Sequence, residues 1–428
     1  MRSGAGSAIG AGAIAAAFAC TLALGQPKSS PQTPAESERP AQGADQAVLD
    51  RGRYLTSLGD CVACHTEKGG ERFAGGRPIE TPFGSITAPN ITPDRDTGIG
   101  AWSDADFDKA VRQGIRRDGG RLYPAMPFTA FAKMSREDVL AIRAYLRTVP
   151  PVHNPVVANT LPFPFNIRAS MRVWDWLYFK PGEFKPDPNK SAAWNRGAFL
   201  VLGPGHCGAC HTPKTFLGGD KDSKFLQGGV LQGWFAPNIT NDSVNGLGRW
   251  SGADIANFLK TGHNSSTAAT GLMAEEIMHS SSHFDAADLD AIATYLKSLP
   301  GQNNELAPAA KDDPAIVAGG AIYRDQCSAC HGLDGKGVPR LFPSLADSAM
   351  VRSKDPTTLV RIVLRGARSV ATKDEPTAPG MPSFGKTLDD AQVAAVVSYV
   401  RNAWKPAAAP VSKDKVERIR KDVQARIE

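Results

Sequence analysis

Six cysteines of this 428-residue chain fall into three pairs, each with two residues between its members and a histidine directly after. They are Cys61-Val62-Ala63-Cys64-His65, Cys207-Gly208-Ala209-Cys210-His211 and Cys327-Ser328-Ala329-Cys330-His331. A turn that presents two thiols side by side can add both sulfurs to the two vinyl groups of one porphyrin, and the adjacent imidazole then lies under the iron. Other cysteine chemistries fit less well. Structural zinc takes two such pairs per ion, or a pair plus two histidines at finger spacing, and these pairs lie far apart. A dithiol redox pair sits once in a strand-helix-strand unit, and disulfides would leave three repeated histidines without a role. The spacing therefore predicts three covalent haem c groups, with His65, His211 and His331 as ligands on one face of each iron.

The second axial position decides whether such an iron carries electrons or binds a substrate. Met126 stands in Tyr123-Pro124-Ala125-Met126-Pro127-Phe128 and Met381 in Pro379-Gly380-Met381-Pro382-Ser383-Phe384. Proline beside methionine stiffens a loop and aims a flexible thioether, which a ligand needs and a core filler does not. The second segment has no such loop; it offers Met273 in Gly271-Leu272-Met273-Ala274-Glu275, or Met278, with His263, His279 and His283 nearby. Counting favours Met273, because 273 − 211 = 62 nearly equals 126 − 65 = 61, while 381 − 331 = 50 is shorter. Core packing, which suits methionine, is expected for Met134, Met171 and Met350. Histidine and methionine together close both faces of the iron and raise its potential, so no catalytic acid, base or nucleophile is expected.

Helices must position these turns. Before each pair runs a helix-like stretch with a small residue and then bulky ones: Gly52 with Tyr54 and Leu55, Gly197 with Phe199 and Leu200, Gly320 with Ile322 and Tyr323. A glycine there lets another helix cross closely. Candidate partners are Asp138 to Leu146, Asp288 to Leu296 and Gln392 to Val400, whose apolar residues recur at offsets of three, four and seven. Ser135 with Asp138 and Thr387 with Asp390 predict capping-box starts, and Pro150 and Pro300 close the first two helices. Strand signals are sparse. The fold class is all-α, with three tandem small helical domains, each around one haem.

Ala88-Pro89-Asn90-Ile91-Thr92 matches Ala236-Pro237-Asn238-Ile239-Thr240, and Trp102-Ser103 matches Trp250-Ser251. These donors could bond haem propionates or could cap turns and fill cores. The third segment lacks both blocks and is the divergent copy. Its glycine-rich stretch Gly332 to Gly337 follows no strand and is not a phosphate cradle.

The boundaries read as follows. Residues 1–25 carry Arg2, an apolar run and small residues at Ala23 and Gly25, a signal peptide cleaved before Gln26 that takes Cys20 with it. Residues 26–45 are a Pro-, Ser-, Gln- and Glu-rich lead-in with too few apolar residues to fold alone. The haem domains span 46–152, 189–301 and 314–405, separated by 153–188 and by a linker at 302–313. Trp174-Asp175-Trp176-Leu177-Tyr178-Phe179 in the first separator fits packing between domains, or docking to a partner or membrane. Residues 406–428 form a charged helical tail with Val416, Ile419, Val423 and Ile427 at helical spacing, able to lie on anionic lipid, on a partner or in solvent. A net charge of +6 is a mild bias and no nucleic-acid signature.

Taken together, the three Cys-x-x-Cys-His turns, the two Ala-Pro-Asn-Ile-Thr blocks, Trp194-Asn195-Arg196-Gly197, Gly271-Leu272-Met273-Ala274-Glu275 and Gly337-Val338-Pro339-Arg340 resemble the triple-haem cytochrome c subunit of membrane-bound periplasmic dehydrogenases acting on alcohols, gluconate, sorbitol or aldehydes. The resemblance covers nearly all of 46–404 and departs from the family after Trp404. It implies axial Met126, Met273 and Met381, and a catalytic dehydrogenase subunit as electron donor. It further implies ubiquinone or a terminal oxidase as acceptor, on the periplasmic face of the cytoplasmic membrane. Two other classes differ in what they require. A haem enzyme needs a unit without a sixth ligand, for which only the second qualifies, and a soluble electron shuttle needs no fixed partner.

Overall fold

The structure is a computed structural model that describes residues 42–302, 310, 312–404 and 409–425. The signal peptide and most of the lead-in and of the 302–313 linker lie outside the described residues.

One helix crossing recurs three times and organises everything else. The amino-terminal helices are α1 (Gln42–Leu58), α5 (Ala192–Leu202) and α9 (Pro314–Gln326); the carboxy-terminal helices are α3 (Arg136–Leu146), α8 (Ala286–Ser298) and α11 (Asp390–Val400). At Gly52, Gly197 and Gly319 a Cβ atom would overlap the carbonyl oxygen of Ala141, Ala291 and Ala395 respectively. Four residues further along each partner helix stands Tyr145, Tyr295 or Tyr399, whose own Cβ flanks the crossing. Only glycine admits such a backbone approach. In the third repeat the residue at the crossing is Gly319 and not Gly320, which faces only the Tyr399 ring and Arg324. Arg51 and Arg196, each just before its glycine, pair with Asp138 and Asp288 on the opposite helix.

Between the crossing helices each repeat carries the Cys-x-x-Cys-His turn and a middle helix. The middle helices are α2 (Asp104–Gln113), α6 (Gly252–Thr261) and α10 (Thr357–Arg365). Ser103 and Ser251 form reciprocal capping boxes with Asp106 and Asp254, which fixes the starts of α2 and α6. Ser135 caps α3, but Asp138 is engaged by Arg51 and gives nothing back. The third carboxy-terminal helix starts later than Thr387: Asp389 and Gln392 make its capping box, while the Thr387 hydroxyl donates to Phe384 O at 3.2 Å.

The helical expectation holds for the cores, and three two-stranded antiparallel ribbons depart from it. They are β1 (Pro78–Thr81) with β2 (Gly84–Thr87), β3 (Gln227–Leu231) with β4 (Trp234–Asn238), and β5 (Ala367–Arg368) with β6 (Gly380–Met381). Their registers place Pro78 opposite Thr87, Gln227 opposite Asn238 and Ala367 opposite Met381.

The first two repeats share one continuous core, in which Leu55, Leu58 and Val139 belong to the same buried cluster as Leu200, Leu289 and Leu296. The third repeat has its own, built on Tyr323, Val360, Val393 and Val397. The tail joins this third core. Helix α12 (Lys413–Ala425) buries Val416, Ile419 and Val423 against α10 and α11, and Arg420 donates to Asp390 Oδ1 at 2.6 Å and Leu388 O at 3.0 Å. The described part of its apolar face is therefore covered by protein and not available to lipid, while Ile427 lies outside the described residues.

The segment between the first two repeats does two things. Helix α4 (Met171–Tyr178) buries Trp174, whose Nε1 donates to Leu217 O at 2.9 Å and whose ring meets Phe128 edge to face. The opposite face carries Val173, Trp176 and Leu177 into solvent, with Trp176 82% exposed. Packing explains one side of the helix only.

Candidate haem attachment sites

Each attachment turn is one short helical turn, and in each the histidine Nδ1 is fixed by a proline carbonyl. His65 Nδ1–H donates to Pro89 O at 2.7 Å, His211 to Pro237 O at 2.7 Å and His331 to Pro343 O at 3.1 Å. This bond fixes the tautomer and the ring plane and leaves Nε2 as the free, electron-pair-bearing nitrogen, the usual arrangement of a metal-ligating imidazole. Burial pushes all three imidazoles down from their ordinary range, so the neutral, ligating form dominates.

None of the six cysteines among the described residues is paired in a disulfide. Burial pushes Cys61 and Cys207 up to about 12 and Cys327 up to about 11. A redox-active dithiol requires the opposite shift. The donor set fits thioether attachment, in which sulfur carries no charge. When bound, a haem c supplies a one-electron ferric/ferrous couple.

The loops that furnish the proline carbonyls are themselves held by side chains. Asn90 Oδ1 accepts from Thr92 N at 2.9 Å and Thr92 Oγ1 at 2.8 Å, and its Nδ2 donates to Thr97 Oγ1 and Val152 O. Asn238 repeats this with Thr240 N and Oγ1 at 2.8 Å and with Asn245. Of the two roles open to this motif, the structure shows turn capping, and the residue that reaches the histidine is the proline between alanine and asparagine. Asn90→Ala strips a buried network of its centre and should cost about 2–3 kcal/mol, read as a lower urea midpoint with the haem-bound spectrum followed in parallel.

The candidate methionines share a place in the repeat. Helices α2 and α6 each end on a left-handed glycine, Gly114 and Gly262, and the chain then turns back so that Leu122 N donates to Gly114 O and Ala269 N to Gly262 O, both at 2.7 Å. Met126 lies four residues beyond Leu122 and Met273 four beyond Ala269. In the third repeat α10 ends on Gly366, whose positive φ comes with an extended ψ and not the left-handed helical turn of Gly114 and Gly262, and Met381 pairs with the next residue, Ala367. Met126 sits in a proline-flanked loop, but Met273 sits in the first turn of α7 (Gly271–His279). All three are partly buried, Met278 is 45% exposed, and Met134 is a core residue at 1%. Met171 and Met350 are only partly buried.

Sequence reasoning missed the polar seam between the first two repeats. His206 Nε2 lies 3.3 Å from Gly59 O, so the residues leading into the first two attachment turns touch. Tyr54 Oη donates to Asp288 Oδ2 at 2.6 Å, and Arg77 binds Glu275. Nothing local in the chain announces these pairs, which are 147, 234 and 198 positions apart. Glu276, next along, is partly buried and bonded by Ser281 Oγ at 3.0 Å, and burial pushes its carboxyl up to about 7. A carboxyl raised from 4.5 holds its proton better in the folded state, so its contribution is most favourable below about pH 4.5 and declines as pH rises through about 7. Glu276→Gln should flatten that decline, raising stability by about 1–3 kcal/mol at pH 8 relative to pH 5, measured as urea midpoints.

The attachment turns, the anchored imidazoles and the helical cores define a c-type cytochrome. A cytochrome c family model matches residues 49–150 and 316–404. The chain is 42% identical over 380 residues to the cytochrome c subunit of the quinone alcohol dehydrogenase of Komagataeibacter europaeus, covering 84% of this chain and 81% of that protein. It is 40% identical over 400 residues to the gluconate 2-dehydrogenase cytochrome c subunit of Pantoea cypripedii (89% and 91%), and 38% identical over 418 residues to the fructose dehydrogenase cytochrome subunit of Gluconobacter japonicus (91% and 84%). This chain belongs to the family of dehydrogenase cytochrome c subunits. It holds haem c covalently and transfers electrons.

Proposed function

We propose that the chain carries three haem c groups and passes electrons singly from a catalytic dehydrogenase subunit to ubiquinone or a terminal oxidase at the periplasmic face of the cytoplasmic membrane. The domains are 46–152, 189–301 and 314–405, following a signal peptide at 1–25. Cys61 and Cys64, Cys207 and Cys210, and Cys327 and Cys330 hold the porphyrins; His65 with Met126, His211 with Met273, and His331 with Met381 ligate the irons. The observation that carries this reading is the threefold recurrence of a proline-anchored imidazole, together with a methionine on the segment that returns to the end of the middle helix in each repeat. A closed His/Met pair leaves no room for substrate, so the protein's part is to set potential, spacing and docking. Identities to subunits of alcohol, gluconate and fructose dehydrogenases support a dehydrogenase donor of this kind. The test is the pyridine haemochrome per mole of mature chain together with its intact mass: three haems are expected, and two or fewer would overturn the count.

Membrane contact is supported by the exposed face of α4 and its neighbours. Phe163 is 78% and Phe216 92% exposed, Val173 and Trp176 are exposed on α4, and Arg172 is exposed on the same helix. Aromatic side chains with flanking cations suit the headgroup region of an anionic bilayer. No described helix is long and apolar enough to cross a membrane. Phe163→Ser with Trp176→Ser should lower co-sedimentation with phosphatidylglycerol vesicles several-fold, and unchanged binding would remove this surface from the reading.

A further inference from the structure

Arg77 belongs to the first repeat, yet it holds the ligand-bearing helix of the second. Its Nη1 donates to Ala63 O at 2.6 Å, inside the first Cys-x-x-Cys-His turn. The same guanidinium grips the Glu275 carboxylate with two prongs, Nη2 to Oε2 at 2.8 Å and Nη1 to Oε1. Glu275 lies two residues after Met273 on α7, and α7 packs against the Cys61–Cys64 turn. Arg77 itself has a fixed base, because its carbonyl accepts from Ala88 N at 2.9 Å across the β1–β2 ribbon.

Helix α7 has few other means of holding its orientation. It is nine residues long, its start at Thr270 has no side-chain cap, and Gly271 enters with φ 57° under the Trp234 ring. The rotation of such a short helix about its axis is set by its side contacts: Ile277 in the core, Glu276 with Ser281, and Glu275 with Arg77. Met273 and Glu275 share one short segment, so a shift at one moves the other. Two-pronged arginine-carboxylate bonding gives directional control that a single charge does not.

We propose that Arg77 and Glu275 are a positioning pair that holds Met273 toward the second iron and ties that ligand to the attachment turn of the first. This rests on Met273 being the sixth ligand, and the test separates the two ideas. The full-length haem-loaded protein would be prepared as wild type, Arg77→Gln, Arg77→Lys, Glu275→Gln and Met273→Leu, with haemochrome content checked for each. Three readouts are taken: the sulfur-to-ferric-iron charge-transfer band in the red, carbon monoxide binding by the ferrous protein, and a spectroelectrochemical titration of the three haems.

Met273→Leu should remove one haem's share of the band and admit carbon monoxide at one haem. Arg77→Gln and Glu275→Gln should each produce most of that loss and lower one potential while leaving the other two in place. Arg77→Lys should recover part of the band, since lysine keeps the charge without the two-pronged grip. A band and three potentials unchanged in both glutamine variants, with Met273→Leu still losing its share, would overturn the positioning role and leave a plain tie between repeats. A band unchanged in Met273→Leu would overturn the ligand assignment and this inference together. Should Arg77→Gln fail to load haem, Glu275→Gln, which leaves the Ala63 contact intact, decides between the first two results.

Discussion

Gly319→Ala should cost the third repeat about 3–5 kcal/mol and most of its haem-loaded yield, whereas Gly320→Ala, one residue on, should be nearly neutral. A Cβ at 319 meets the Ala395 carbonyl, a backbone atom in a helix that cannot step aside without unpacking Tyr323, Val393 and Val397. At 320 it meets the edge of the Tyr399 ring, which lies against Tyr323 and Trp404 and must give slightly, and the movable end of Arg324. There the helix propensity of alanine, roughly 1 kcal/mol better than glycine, offsets the crowding. Urea denaturation of the haem-loaded chain and its yield from expression read the contrast. Gly52 and Gly197 face Ala141 and Ala291 in the same way, so alanine at either should unsettle the core that the first two repeats share.

The second large effect concerns potential. Met381→Leu and Met126→Leu should each lower the potential of one haem by on the order of 0.1 V or more, since axial ligation spans about 0.8 V across haem proteins. Each should also let the ferrous protein bind carbon monoxide at one site. Leucine keeps the volume and apolar character of methionine, so the packing cost stays below about 1.5 kcal/mol, and a change in potential cannot be ascribed to unfolding. Met134→Leu is the control: Met134 is buried in the shared core and should leave all three potentials where they were. Met278→Leu, exposed on the far part of α7, should do the same.

What could be read from the chain follows the range of the interaction. The attachment turn is local: two thiols and an imidazole within five residues carry their chemistry in their spacing, and the proline-anchored histidines agree with it. Helix faces also read well, because periodicity repeats along the chain. The crossing glycine of the third repeat was misplaced by one. Its distance to the first cysteine differs among the repeats, 61 − 52 = 9, 207 − 197 = 10 and 327 − 319 = 8, and two adjacent glycines offer no local sign of which faces the partner. The ribbons escaped notice because strands of two to five residues containing Pro78, Gly84, Gly228 and Pro237 are too short to show alternation. The tail kept its predicted helix but not its independence, since periodicity says that Val416, Ile419 and Val423 share a face without saying what covers it. The Tyr54–Asp288 and Arg77–Glu275 bonds were invisible for the same reason: a polar pair joining distant segments leaves no pattern in either one.

The fused core of the first two repeats has a kinetic consequence. Two haems held at the first two attachment turns, as proposed, would lie in one packed interior joined by Tyr54 with Asp288 and by His206 with Gly59, and would keep their separation while that core stays folded. Transfer between them is then set by driving force at constant separation and should be indifferent to solvent viscosity. The third repeat has a core of its own but is also tied to the second, through Thr358 Oγ1 with Phe235 N and O, Arg352 with Val244 O, and Val370 buried beside Ala269 and Ile277, so thickening the medium with glycerol should leave traffic into it unchanged as well.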